Sequence, residues 1–185
     1  MYAQAYFAYD SKKSGGVTIS HLRFGHKPIR STYLIDNADF IACHNPAYIG
    51  KYDVLSGLKE GGTFLLNCQW SKEELEEKLP ASVKKYLAKN NIDFYIINAV
   101  DIAQEIGLGG RINMIMQSAF FKLADIIPID EAIKHLKQAI VDSYGSKGEK
   151  IVNMNYQAVD KGLEAIVKVD VPASWADATD EAAAE

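Results

Sequence analysis

Cysteine is scarce in this sequence: Cys43 and Cys68 are the only two among 185 residues. Two cysteines cannot build a disulfide framework, and a reducing compartment suits such a chain better than an oxidising one. They fall short of the four thiolates that a ferredoxin-type iron–sulfur cluster takes, and they stand too far apart for C-x-x-C. Each closes an apolar run, F-I-A-C and F-L-L-N-C, which reads as a buried, inert thiol at a strand end. Long apolar runs are missing as well. None approaches the roughly 18–20 residues that span a bilayer, and no basic stretch followed by an apolar leader core opens the chain. A soluble, cytoplasmic protein without a membrane partner is expected. A basic excess is also missing: 20 Lys and Arg stand against 24 Asp and Glu, a net charge of -4, which gives nucleic acid no electrostatic footprint.

The common chemical motifs are absent. Gly107-x-Gly109 would need a third glycine where Ile112 stands, and Gly57-x-x-x-x-Gly62 has Thr63 in place of the phosphate-binding lysine. The four histidines, His21, His26, His44 and His135, form no H-E-x-x-H or His/Cys cluster, so no metal ligand is assigned. No G-x-S-x-G elbow is present, and no carboxylate pair is singled out, so no catalytic residue is assigned. His44 ends a strand, where α/β proteins place ligands; a strand-end histidine bonded to backbone explains it as well. His135 sits on a solvated helix face.

What is present is an ordinary globular composition, 48% hydrophobic and 24% charged. Residues 3–9 and 17–24 read as two strands of an antiparallel hairpin across a polar glycine loop. Strands at 39–44, 63–68 and 93–99 alternate with helices, the first helix spanning about 47–60 and stopped by Gly61-Gly62. Ser71 and Glu74 form a capping box, and Pro80 divides the helix that follows. Further helices are read at 100–107, at 113–124, from Asp130 as cap to about Tyr144, and from about Glu149 to Val169. The alternation predicts a three-layer α/β/α fold with a mostly parallel sheet and an N-terminal antiparallel hairpin. A domain at 1–169 and an acidic, alanine-rich linker or tail at 170–185 complete this reading.

Two segments can carry ligand chemistry. In S-K-K-S-G-G-V-T-I-S-H-L-R-F-G, residues 11–25, Lys12, Lys13 and Ser14 precede two glycines. Such a loop can offer ammonium charge, a hydroxyl and backbone N–H groups to phosphate; it can equally be a solvated turn. Arg23 and Arg30 add positive charge to this patch. In E-I-G-L-G-G-R-I-N, residues 105–113, glycines turn the chain and Arg111 and Asn113 stand at the start of a helix, where free N–H groups favour anions. Asn113 can equally serve as that helix's N-cap.

The first segment, followed by P-I-R-S-T-Y-L-I, resembles the gamma-type domain of the 2-oxoacid:ferredoxin oxidoreductase family, in its pyruvate:ferredoxin (flavodoxin) branch. G-E-K-I-V-N-M-N-Y-Q-A-V-D-K-G-L-E-A and V-P-A-S-W extend the likeness over roughly residues 1–176. The resemblance implies a part of a cytoplasmic enzyme of anaerobic metabolism. That enzyme converts pyruvate and coenzyme A to acetyl-CoA and CO2 and passes electrons to ferredoxin or flavodoxin. Thiamine diphosphate, magnesium and [4Fe-4S] clusters are expected in other domains of a homodimeric parent, and none in this chain. The gamma-type domain is expected to help bind coenzyme A and to pack the enzyme. The family's glycine-rich strand–turn–helix, which precedes the Y-A-Q-A-Y-F equivalent, is not in this sequence, so the chain reads as an excised fragment or an incomplete reading frame, inactive alone. Lys12 or Lys13, Ser14, Arg111 and Asn113 are expected to converge around the ADP portion of coenzyme A. Two other readings stay open: a stand-alone module for a phosphorylated adenine ligand, and a purely structural packing domain.

Overall fold

Strand ends and glycines, more than helix propensity, set this architecture. A computed structural model describes residues 1–9 and 16–180. Strands β1 (Tyr2–Tyr9) and β2 (Thr18–Gly25) pair antiparallel, with Tyr2 opposite Gly25 and Tyr6 opposite His21. A second sheet has the order β3 (Ala38–Cys43), β4 (Leu58–Asn67), β5 (Asp93–Ile97), β6 (Val167–Val169). The first three are parallel and adjacent, as the alternation predicts; β6 joins β5 antiparallel.

The period-two pattern of the strands divides the core. Phe64, Leu66, Phe94 and Ile96 point to one face, where they meet Leu75 of α1 (Leu75–Lys78) and Val83 and Leu87 of α2 (Ala81–Lys89). Leu65 and Ile97 point to the other, against Ala103 of α3 (Ala99–Ile106), Ile115 and Ala119 of α4 (Asn113–Ala124) and Ala158 of α6 (Glu149–Glu164). The result is the expected three-layer α/β/α arrangement. Helix α5 (Ile129–Tyr144) packs outside it, through Leu136 and Ile140 against Val159. The hairpin reaches this core through Phe24, whose ring lies 6.1 Å from that of Phe120 in α4, itself 5.2 Å from Phe40. Among the described residues no helix is long and apolar enough to cross a membrane.

Four expectations are corrected. Residues 47–60 are not a helix. A short 3-10 turn at Pro46–Tyr48 and further turns lead to β4, which begins at Leu58. Gly50 and Gly57 adopt φ of 80° and 78°, which a right-handed helix cannot include. Nor do Gly61 and Gly62 stop anything; they lie inside β4, where a Cβ on Gly62 would come within 2.9 Å of the Lys59 carbonyl and 3.2 Å of the Asp39 carbonyl. Helix α6 ends at Glu164 rather than Val169, because the β-branched pair Val167 and Val169 adds a strand beside β5. Pro128, not Asp130, is the N-cap of α5, and Asp130 contributes a favourable charge to the first turn.

The segment after β6, read from sequence as the start of a linker or tail, lies against the core. Its 3-10 turn at Ala173–Asp177 buries Trp175 to 4% exposure. The Trp175 indole N–H donates to Oε2 of Glu76, whose Oε1 accepts from Lys84 Nζ at 2.7 Å. Asp180 accepts from the Ala81 N–H at 2.7 Å and so caps α2. The Ser71–Glu74 capping box is present in both directions, and Pro80 separates α1 from α2.

Two outcomes follow from this packing. A Cβ on Gly162 of α6 would collide with the Ser118 hydroxyl and stand 2.7 Å from the Ile115 carbonyl of α4. Gly162→Ala is therefore expected to cost about 1–3 kcal/mol of unfolding free energy, read by chemical denaturation, because the two helices must separate. The bonds from Lys84 and Trp175 hold the Glu76 carboxyl below its ordinary value of 4.5. A depressed carboxylate stabilises fully above its unfolded pKa and loses that contribution as pH falls through the folded one. Fluorescence of Trp175 in a Trp70→Phe background should thus stay flat as pH falls through the ordinary glutamate range and change only at more acidic pH.

Candidate functional site

Chemistry in an α/β protein collects where connections from neighbouring parallel strands leave toward opposite faces. Here that point lies between β4 and β5. The chain leaving β4 runs to α1 and α2 on one face, and the chain leaving β5 runs to α3 on the other. A cavity of about 520 Å³ opens there, lined on one side by Gln69, Trp70, Ser71 and Glu74 and on the other by Asn98, Asp101 and Glu105.

The strand ends next to it are tied together by one buried amide. Asn67, 1% exposed at the end of β4, donates from Nδ2 to the His44 carbonyl at 2.9 Å and accepts from the Ala99 N–H at 2.9 Å. One side chain thus serves the ends of β3, β4 and β5. Asn98 caps α3, accepting from the Asp101 N–H at 3.1 Å. The Asp101 carboxylate accepts from Gln69 Nε2 at 2.6 Å and from Asn98 Nδ2 at 2.7 Å. With both oxygens engaged, Asp101 is a strut across the cavity and not a free general base. Burial pushes the thiols of Cys43 and Cys68 up, which agrees with the inert reading. The His44 side chain is exposed, and it is its backbone carbonyl that is engaged. His135 lies on the surface, 3.6 Å from Glu131.

Arg111 and Asn113 lie elsewhere, at the junction of α3 and α4, and neither lines the cavity. Gly107 ends α3 with φ of 88°, Gly109 follows with φ of 63°, and α4 begins after Ile112. Ile112 is therefore the N-cap, and Asn113 is the first helical residue, which corrects its assignment as cap. Among the described residues no side chain caps α4. Its first N–H groups are free to meet an anion. Both Arg111 and Asn113 are exposed and have no side-chain partner among the described residues. Lys12, Lys13 and Ser14 lie outside the described residues.

Sequence reasoning passed over Gln69, Asn98 and Asp101. The signal was their position: Gln69 and Asn98 stand within two residues of the ends of β4 and β5, and Asp101 lies in the first turn of α3. Replacing Asn67 by Leu keeps the branched shape, adds some bulk, and orphans a buried carbonyl and a buried N–H. A loss of about 2–4 kcal/mol in denaturant unfolding is expected, with Asn67→Asp also destabilised because it cannot donate to His44.

Comparison with known proteins adds the following. The family model described as "Pyruvate ferredoxin/flavodoxin oxidoreductase" matches residues 1–165. A pyruvate-flavodoxin oxidoreductase from Enterobacter agglomerans is 68% identical over 175 residues, covering 95% of this chain and 15% of the relative; the chain thus spans a small part of that protein's length. Among solved structures, the pyruvate oxidoreductase subunit PORC from Thermotoga maritima superposes with a TM-score of 0.68 at 19% identity, covering 91% of this chain and 82% of the subunit. A 2-oxoglutarate:ferredoxin oxidoreductase from Magnetococcus marinus, with 2-oxoglutarate, coenzyme A and succinyl-CoA bound, superposes with a TM-score of 0.61 at 22% identity, covering 91% of this chain and 27% of that one.

Proposed function

The chain belongs to the pyruvate ferredoxin/flavodoxin oxidoreductase family, and from that premise we propose that it is the domain of a cytoplasmic pyruvate:ferredoxin or flavodoxin oxidoreductase that helps hold coenzyme A. The observation that carries this reading is the start of α4, with no side-chain cap among the described residues, beside Arg111, which has no side-chain partner among them either. Coenzyme A carries a diphosphate and a 3′-phosphate. Fixed N–H groups at a helix N-terminus and a guanidinium meet such oxygens with charge-assisted hydrogen bonds. Asn113, in the first turn, adds an amide donor. Lys12, Lys13 and Ser14 are assigned to the same ligand by the chemistry of their loop, two ammonium groups and a hydroxyl before two glycines. The matching fold of the 2-oxoglutarate enzyme, solved with coenzyme A, supports this.

The remaining chemistry belongs to other domains of the parent. Thiamine diphosphate supplies the carbanion chemistry there, and [4Fe-4S] clusters carry the electrons. Cys43 and Cys68 do not fit a cluster, since both thiols are buried in the face that packs on α1 and α2. This chain's own residues bind and orient; no described residue is assigned a proton or electron transfer. A packing role goes with the binding role. The hairpin exposes Tyr6 at 58%, Ile19 at 51% and Leu22 at 45%, apolar surface of the kind that neighbouring domains cover.

The test is kinetic and uses the intact parent enzyme. Arg111→Ala is expected to raise the KM for coenzyme A roughly tenfold, the size of one charge-assisted bond less its desolvation, and to leave the KM for pyruvate unchanged. An unchanged KM for coenzyme A would leave the packing role alone.

A further inference from the structure

The hairpin of β1 and β2 is separate from the main sheet, and its two strands are not alike. β2 carries His21 and Arg23, and both are engaged. Arg23 donates to Oε1 of Gln4 at 3.1 Å and to the Tyr33 carbonyl at 2.6 Å, while Nδ1 of His21 accepts from the Ile35 N–H at 3.1 Å. Gln4 in turn donates from Nε2 to the Ser31 carbonyl at 2.8 Å. Gln4 lies opposite Arg23 and Tyr6 opposite His21, so these bonds leave from one face, and the 31–35 segment covers that face. The outer edge of β1 pairs with no strand among the described residues. None of its eight residues, Y-A-Q-A-Y-F-A-Y, is charged, proline or glycine. Charges, prolines and bulges ordinarily guard an edge strand, and an edge without them is a template for another strand. A hairpin of two strands is also marginal in water, whereas three or more strands with an apolar face are stable.

We propose that β1 pairs antiparallel with β1 of a second copy of this chain, about a two-fold axis at Ala5, to form one four-stranded sheet. Three features select a second copy as the occupant. The edge is uncharged, so a copy meets no like charge there although the whole chain carries -4. Antiparallel pairing of a strand with itself is isologous, which closes the assembly at a dimer. The register centred on Ala5 also sets bulk against small or amide side chains. Tyr2 falls opposite the partner's Ala8, Ala3 opposite the partner's Phe7, and Gln4 opposite the partner's Tyr6. The face bearing Ala3, Ala5, Leu22 and Phe24 then becomes continuous between the copies. This inference is independent of the coenzyme A reading and goes beyond the packing role by naming what meets the hairpin.

Sedimentation of the full chain tests it. A monomer is expected to pass to a dimer between roughly 1 and 100 µM, the span in which a micromolar association shows. Ala5 is exposed. Ala5→Lys sets two ammonium groups opposite each other, with Cα atoms about 5 Å apart, and is expected to weaken the dimer roughly tenfold or more. Ser20→Lys puts the same charge on the same face but on β2, and is expected to leave association unchanged. Ala5→Cys adds no charge. It should cross-link two copies under oxidised glutathione, because opposed Cα atoms fall within disulfide range, whereas Thr18→Cys should not; the native thiols are buried. A chain that stays monomeric over this range overturns the proposal and leaves the hairpin to a neighbouring domain of the parent. It is overturned equally by a dimer that survives Ala5→Lys or by a missing Ala5→Cys cross-link. Loss of the dimer in both lysine variants would mean face-to-face packing, and the edge pairing fails.

Discussion

Everything in this fold depends on how the carboxyl ends of three parallel strands are finished. A parallel ladder runs out of partners at its edge, and buried carbonyl and N–H groups left there are costly. Asn67 resolves two of them with one amide, binding the chain after β3 through the His44 carbonyl and the start of α3 through the Ala99 N–H. Because the connections then part toward opposite faces, the strand ends cannot close over one another. The cavity is the space that remains, and the residues at its rim, Gln69, Asn98 and Asp101, are the ones that bond across it.

The face that carries α3, α4 and α6 is held by two neighbouring positions of α6. Lys161 reaches Glu105 of α3 at 2.9 Å. Gly162 lets α6 approach the backbone of α4 at Ile115 more closely than any side chain would permit. Successive helical residues point about 100° apart, so one short stretch addresses two helices. The glycine-rich turn between α3 and α4 is thereby suspended between elements whose spacing is fixed. That is the condition for the exposed α4 terminus to present its N–H groups in a constant direction.

Much of this was legible in the sequence where the signal is local. Short apolar strands between helices, the Ser71–Glu74 box and the break at Pro80 are each set by neighbours within a few residues. The failures have a common cause. The 47–60 segment has helix-forming side chains, yet Gly50 and Gly57 take left-handed conformations that only the tertiary path requires. β6 is three residues long, too short for alternation to outweigh the helix before it. Asp180 and Trp175 find Ala81 and Glu76 across 99 positions, a pairing no window of sequence reveals, and so the stretch reads as tail. At the start of α4, Arg111 was legible only as a charge after glycines. Asn113 was one position off as a cap, because Ile112 closes the turn with no side-chain bond of its own. The cavity was not legible, since its polar residues are far apart in sequence and become neighbours only when β4 and β5 pair.

The net charge of -4 sharpens what the proposed coenzyme site must do. The long-range field of an acidic protein does not gather a polyanion; steering requires a potential of opposite sign. Attraction must therefore come from within about one Debye length, roughly 8–10 Å at physiological salt. Groups that act at that range are the fixed N–H dipoles of α4 and the guanidinium of Arg111, which has no acidic partner among the described residues. Fixed dipoles keep their orientation whether or not the ligand is present, so little is lost in ordering them, whereas a long lysine must be immobilised. On this reading the helix terminus sets where the phosphate sits, and the lysine charges proposed for the same ligand add affinity once it is there.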